Sequence, residues 1–376
     1  MTGANRIQSI PTSIFSTMSK MAVENHAVNL GQGFPDFSGP EWIMEEAYNA
    51  MLSGMNGILS LRKKLAENFE KYYNFKWNYD SEITITAGAT EALFSTILSL
   101  INPGDEVILF EPFYDAYQSD VILAGGIPKY VTLKKPGFSF DFQELEKEIS
   151  EKTKLIILNN PHNPTGKIFS DEELEIIADL AIKNDLLVIS DEVYEFLLFD
   201  DNKHTPIVTL PGMKERTITI SSTGKTFGLT GWKIGFACAK PELTKAIQKV
   251  HQWATFAVNT PGQHAMAYAF GRIEDYLPEF RETYQHKRDL LFNLLKETNF
   301  KAHLPNGSYF MMIDIPDNKK MNDVECATEL VKNYGVATIP PSVFYAKSDE
   351  GQTMLRLCFA KNDDTIIEGI NKLKKF

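Results

Sequence analysis

The sequence predicts an α/β protein built on a seven-stranded, mostly parallel, doubly wound sheet, with a smaller α+β domain beside it. From residue 83 onward, seven apolar or β-branched runs alternate with helical patterns: Ile83–Thr86, Glu106–Phe110, Ile127–Leu133, Leu155–Leu158, Leu186–Ser190, Thr217–Ile220 and Ile234–Ala239. Strands of that composition belong to a sheet covered on both faces. Polar and glycine-bearing motifs follow the runs directly, at the carboxyl ends where ligands of doubly wound sheets gather. After residue 240 the pattern turns to long helices and then three short strand-like runs, which marks the second domain.

Composition narrows the class further. At 376 residues, 43% hydrophobic and 23% charged, the chain is long enough for two cores and has the balance of a soluble globular protein. A net charge of −11 with no basic run argues against nucleic acid and anionic membrane as partners. The N-terminus shows no signal-peptide pattern, and no apolar stretch approaches the ~18 residues of a membrane span. Cys238, Cys326 and Cys358 are far apart and odd in number, as expected of free thiols in a reducing cytoplasm. The seven histidines form no His-Glu-x-x-His and no zinc spacing with the cysteines, so no metal site is expected.

Taken in order, Ser13–Glu24 reads as a short amphipathic helix. Asn29–Phe37 resembles half of a dinucleotide fingerprint but lacks its third glycine. Pro35 blocks the helix entry, leaving a loop whose backbone at Gly33 is free to approach a ligand. Helices are expected over Glu41–Leu52, Leu59–Tyr73 and 171–183, the last opened by a Ser170/Glu173 capping box. A helical stretch from Pro241 to Thr298, interrupted near Asn259–Gly262, precedes strand-like runs at Tyr309–Ile315, Val336–Ile339 and Met354–Phe359. Helices are expected around 322–333 and 363–374.

The motifs at the strand ends are ambiguous one by one. Thr86–Leu93 enters a helix through small residues, which suits a phosphate or a plain turn equally. Glu111–Tyr117 offers an aromatic ring that could stack on a flat ligand or pack in the core. Asn159–Gly166 holds two Asn/Pro pairs that force a rigid turn, with Asn163 able to donate to a ligand oxygen. Asp191 ends a buried strand and needs a cationic partner, for which a protonated pyridine nitrogen or a structural cation would serve. Ser221–Lys233 places Lys225 in a glycine-rich bend between two core strands. A lysine there is either solvated or a Schiff-base amine. Together they describe a site for pyridoxal 5'-phosphate: phosphate cradle, stacking ring, phenolate donor, ring-nitrogen carboxylate and reactive lysine.

These motifs, with Asn29–Phe37 and Leu355–Lys361, resemble those of the class I pyridoxal-phosphate-dependent aminotransferases of fold type I over nearly the whole chain. The likeness is greatest to the methionine and kynurenine (glutamine) branch. The resemblance implies an aspartate-aminotransferase-like large domain at 36–280. It also implies a small, substrate-closing domain formed by 1–35 and 281–376. Carried over residue by residue, it implies that Lys225 bears the Schiff base, Asp191 pairs with the pyridine nitrogen, and Asn163 and Tyr194 bond the phenolic oxygen. Tyr114 would stack on the ring. Ala89 and Thr90, with Ser222 and Lys233, would hold the phosphate. Arg356 would bind the substrate α-carboxylate as a fork, Gly33 would lie against the substrate, and Phe15 would close the side-chain pocket.

The reaction so implied is ping-pong transfer between an amino acid and a 2-oxo acid, with Lys225 as general base and acid. A homodimer with sites at its interface is implied too, Phe256 being a candidate contribution from the partner subunit. Around Gly54-Met55-Asn56 the family tyrosine that reaches a neighbouring phosphate is missing. No second arginine stands ready for a side-chain carboxylate, and the chain is rich in Phe, Tyr and Met. That favours an uncharged substrate, methionine first, then aromatic amino acids, kynurenine or glutamine. The rival chemistry on the same residues is a C–S β-lyase acting on sulfur amino acids. A regulator with an aminotransferase-like body would need an N-terminal DNA-binding domain, for which only about 25 residues precede Asn29.

Overall fold

The computed structural model describes residues 3–54 and 60–376. In chain order, α1 (Ile14–Glu24), β1 (Val28–Asn29), α2 (Glu41–Leu52) and α3 (Ser60–Tyr73) precede the sheet. The sheet region runs β2 (Ile83–Thr86), α4 (Gly88–Leu100), β3 (Glu106–Glu111), α5 (Asp115–Leu123), β4 (Ile127–Thr132), α6 (Phe142–Glu148) and β5 (Thr153–Asn159). It continues with α7 (Asp171–Lys183), β6 (Leu187–Asp191), β7 (Thr217–Ser222), α8 (Thr223–Thr226) and β8 (Gly235–Cys238). Then come α9 (Pro241–Ala254), α10 (Thr260–Phe270), α11 (Ile273–Leu295), β9 (Lys301–His303), β10 (Phe310–Asp314), α12 (Asp323–Glu329), β11 (Val336–Ala337), β12 (Met354–Cys358) and α13 (Asp363–Leu373).

Seven strands form one sheet in the order β2-β8-β7-β6-β5-β3-β4. All neighbours are parallel except at β8, which runs antiparallel to both β2 and β7. The parallel strands carry apolar residues on both faces because both faces are covered: every residue of β3 is buried, as are all of β5 except Lys154. Two apolar clusters line the two faces, one around Ile108, Ile156 and Val188, the other around Leu109, Ile157 and Ile189. Alternate residues of a strand feed opposite clusters, as the two-residue period requires. The parallel strands therefore end together, and their polar residues meet along one edge.

The second unit is an antiparallel sheet, β12-β10-β9, with Met312 of β10 opposite Arg356 of β12. The N-terminal segment reaches it through a parallel pair, Val28 with Val336 and Asn29 with Ala337. Three details differ from the sequence reading. The interruption expected near Asn259–Gly262 falls between α9 and α10, where Asn259 caps α10 by accepting from the Gly262 N–H, but a second, unexpected break precedes α11. The expected strand at 336–339 is regular over only two residues, with Ile339 bridging separately to Arg356, and β9 was not anticipated. The first residue expected in α3, Leu59, and Met55-Asn56, where the family tyrosine is missing, lie outside the described residues.

Candidate active site

All twelve residues singled out in the sequence line one cavity of about 320 Å³ at the carboxyl edge of the large sheet. A space of this size suits a small organic ligand. β6 delivers Asp191, the turn after β5 delivers Asn163, and β7 with the single turn α8 delivers Ser222 and Lys225. From the other side come Phe15 of α1, Gly33 of the loop after β1, and Arg356 of β12.

The N-terminus of α4 forms one wall. Ala87 makes no side-chain cap, so the first N–H groups of this 13-residue helix are left to a ligand. Two glycines permit the approach: a Cβ at Gly235 would lie 2.6 Å from the Ala89 nitrogen, and one at Gly88 would lie 3.2 Å from Lys233 Nζ. Lys233 itself adopts a left-handed backbone with φ 54°. That places an ammonium beside free N–H groups, an arrangement that attracts a dianion. Tyr114 caps the wall; burial, with Asp115 and Asp191 nearby, pushes its phenol up to about 12.

Asp191 is buried, with 3% exposure. Its Oδ2 accepts from Tyr117 Oη at 2.6 Å and its Oδ1 from the Val193 N–H at 3.3 Å. Burial outweighs these bonds and lifts the carboxyl to about 6, so a cationic ligand would be strongly favoured beside it. Lys225 moves the opposite way. Burial, reinforced by Arg356 and Lys233, lowers its ammonium to about 8 against the attraction of Asp191. Its Nζ donates to Tyr309 Oη at 2.7 Å and to the Gly33 carbonyl at 3.3 Å. A buried amine whose ammonium is lowered toward physiological pH can act as a nucleophile and as a base.

Arg356 is 1% exposed, and its hydrogen bonds among the described residues go to uncharged acceptors. Its Nη1 donates to Asn163 Oδ1 at 2.9 Å and its Nη2 to the Gly31 carbonyl at 3.0 Å, while Nε finds no partner. Phe310, Phe15 and Phe344 surround the guanidinium at 4.0, 5.0 and 5.5 Å. A buried cation in an aromatic box with bonding to spare is prepared for a carboxylate from outside the chain. With Oδ1 taken by Arg356, Asn163 keeps its Nδ2 for a ligand. Tyr194 stands edge-on to Tyr309 at 5.1 Å, its phenol pushed well up by burial.

Sequence reasoning assigned no role to several residues at the site. Tyr117 lies one turn past Tyr114 on α5, and that i, i+3 spacing would have pointed to it. Tyr309 reaches Lys225 from 84 residues away, through a pairing no local pattern reveals. Gln32, Thr230 and Phe310 also line the cavity.

Fold and site are those of an α/β protein in which a buried lysine, a buried carboxylate and a buried arginine meet in one cavity at the carboxyl edge of a doubly wound sheet. The family described as aminotransferase class I and II matches residues 25–373. The chain is 38% identical to methionine aminotransferase of Escherichia coli over 377 residues, covering 99% of this chain and 97% of that one. It is 40% identical to human kynurenine–oxoglutarate transaminase 3, covering 97% of this chain and 88% of that one. Its fold superposes with a TM-score of 0.96 and 37% identity on Escherichia coli YbdL, for which a methionine aminotransferase function was identified, over 100% of both chains. The chain belongs to the class I and II aminotransferases and is an amino-acid aminotransferase.

Proposed function

We propose that this enzyme moves the amino group of an uncharged amino acid, methionine first, to a 2-oxo acid with pyridoxal 5'-phosphate as cofactor. Aromatic amino acids, kynurenine and glutamine follow as donors. The observation that carries the reading is the meeting in one cavity of a buried lysine of lowered basicity, a buried carboxylate and a buried arginine with an unpartnered Nε: Lys225, Asp191 and Arg356.

The residues fit that cofactor. The glycine-lined N-terminus of α4, with Ala89 and Thr90, Ser222 and Lys233, would hold its phosphate. Asp191 would hold a proton on the ring nitrogen, Asn163 and Tyr194 would bond the phenolic oxygen, and Tyr114 would cover the ring face. When bound, pyridoxal phosphate supplies an aldehyde carbon for an amine and a ring that takes up the electron pair left when the substrate Cα loses its proton. Arg356 binds the substrate α-carboxylate and so fixes which Cα bond faces Lys225. Lys225 Nζ then takes the Cα proton and returns it elsewhere, acting as base and acid in turn. Gly33 and Phe15 bound the substrate pocket. Arg356 is the only arginine among the described lining residues, which supports an uncharged side chain.

The same reading places the enzyme in the cytoplasm as a homodimer, with a large domain at 36–280 and a small one at 1–35 and 281–376. Trp253 at 85% and Phe256 at 77% exposure, with Met51 and Leu52, offer apolar surface for the second subunit. Among the described residues no helix is long and apolar enough to cross a membrane. The test is a single-turnover spectral titration with a panel of amino acids. Methionine should convert the cofactor band fastest, whereas strong preference for aspartate would overturn the pocket argument. Release of pyruvate and ammonia without a 2-oxo acid would favour the C–S β-lyase.

A further inference from the structure

Glu91 stands next to the phosphate wall without forming part of it. It follows Gly88, Ala89 and Thr90 in α4, and those three residues line the cavity whereas Glu91 does not. Its side chain, 11% exposed, is bound instead by groups outside the cavity. Oε2 accepts from the Ala87 N–H at 3.0 Å, and Ser95 Oγ donates to Oε1. His251 Nδ1 of α9 lies 3.2 Å from Oε1 and 3.1 Å from Oε2. Burial raises this carboxyl, but the bonds from His251, Ser95 and Ala87 outweigh it and hold the group below the usual carboxylate range.

The partner on α9 is itself well held. His251 is 13% exposed, and its carbonyl accepts the N–H groups of Thr255 and Phe256 where the helix ends. One turn earlier, Gln248 Nε2 donates to Thr84 Oγ1 of β2 at 3.2 Å. The α9 helix therefore grips the chain on both sides of Ala87, at β2 through Gln248 and at α4 through His251. Ile247 joins Ala92 and Leu93 in one apolar cluster between these contacts. The turn being gripped is otherwise loosely specified: Ala87 supplies no side-chain cap, and Gly88 sits at φ 79°, where glycine has freedom that other residues lack. Glu91 takes the Ala87 N–H, while the N–H groups that follow it have no acceptor within the helix.

We propose that Glu91 and His251 are positioning residues for the cofactor phosphate: they clamp the turn between β2 and α4 to α9 and so hold the free N–H groups of α4 in place as an anion cradle. A cradle of backbone donors binds well only if the donors are fixed before the anion arrives. Glu91 acts against its own charge here, since an anionic side chain near a phosphate repels it. The role of the pair is therefore geometric, and His251 also offsets the carboxylate. This inference rests on the reading of the α4 wall as the phosphate site.

The test compares two ligands that differ only in the phosphate, pyridoxal 5'-phosphate and pyridoxal, titrated by absorbance into the full chain freed of cofactor. Glu91→Ala should weaken pyridoxal phosphate by about tenfold and leave pyridoxal nearly unchanged. His251→Leu should show the same selective loss, and His251→Asn, which keeps an N–H donor near the position of Nδ1, should restore most of it. Equal losses for both ligands would mean a general structural role and would overturn the proposal. Tighter binding of pyridoxal phosphate by Glu91→Ala would show that the carboxylate acts only as a repelling charge, and would also overturn it. Should Glu91→Ala fail to fold, the two His251 variants carry the test, and unchanged binding in His251→Leu would refute the clamp. Wild type that binds both ligands equally would instead refute the phosphate reading, and the proposal with it.

Discussion

Asp191 and Glu192 are consecutive, both buried, and face opposite sides of the end of β6. Glu192 turns inward, where Ser190 Oγ donates to one oxygen at 2.7 Å and His204 Nε2 meets the other at 2.9 Å. Beyond it Glu195 accepts from Ser221 at 2.8 Å and Tyr73 at 3.1 Å. Neither glutamate lines the cavity. Asp191 receives one phenol and one long N–H bond, and the remainder of its capacity faces the cavity beside Lys225. A buried charge whose bonding is completed inside the chain supports the fold. One left partly unsatisfied at a cavity wall is prepared for a ligand. Arg356, with its unpaired Nε, is of the second kind.

The contrast can be broken most forcibly at Lys225. Lys225→Ala should lower transamination by roughly 10⁴-fold or more, since it removes nucleophile and base together. Unchanged turnover in a steady-state assay would end the argument. Next, Asp191→Asn should lower turnover by about 10²–10³-fold without loss of stability, as removal of a charge-stabilising group does. Glu192→Ala should do the reverse: the folded enzyme stays active, but denaturant titration should show a loss of about 3 kcal/mol from orphaning His204. If both substitutions behaved alike, the distinction between the two faces would be empty. Arg356→Lys keeps the charge but loses the fork, so KM for the amino acid should rise by about 10–100-fold with a smaller change in kcat.

The smallest effect is on pH dependence. In the cofactor-free protein Asp191 titrates near 6 rather than 3.8, and Glu195, raised by burial and by Glu192, near 7 rather than 4.5. Each native group therefore keeps its proton at pH values where the unfolded chain has lost it. Their relative stabilisation is present below about pH 4 and disappears as pH rises through about 6 for Asp191 and 7 for Glu195. Asp191→Asn and Glu195→Gln should each flatten that decline. At pH 8 each should leave the cofactor-free chain more stable than wild type by about 1–3 kcal/mol, read by denaturant unfolding at pH 5 and pH 8.

The sheet was legible because its strands are β-branched runs followed at once by polar residues, so Asp191, Asn163 and Lys225 announced themselves by position. Arg356 was legible only through its motif, since nothing local distinguishes a functional arginine in a buried strand. What escaped was tertiary. β9, Lys301-Ala302-His303, has no β-branched residue and exists because Met312–Asp314 of β10 needed an edge partner. Tyr309 looked like the first residue of an apolar run. Its hydroxyl acquires meaning only when β10 is folded against the Gly33 loop.

The central claim is that Lys225, and not the other lysine of the same bend, is the reactive amine. Borohydride reduction of the cofactor-loaded chain, followed by digestion and mass mapping, tests it directly. The account predicts the phosphopyridoxyl mass on the peptide position of Lys225 and an unmodified Lys233. A label on Lys233, or a reduced protein carrying no label on Lys225, would contradict it.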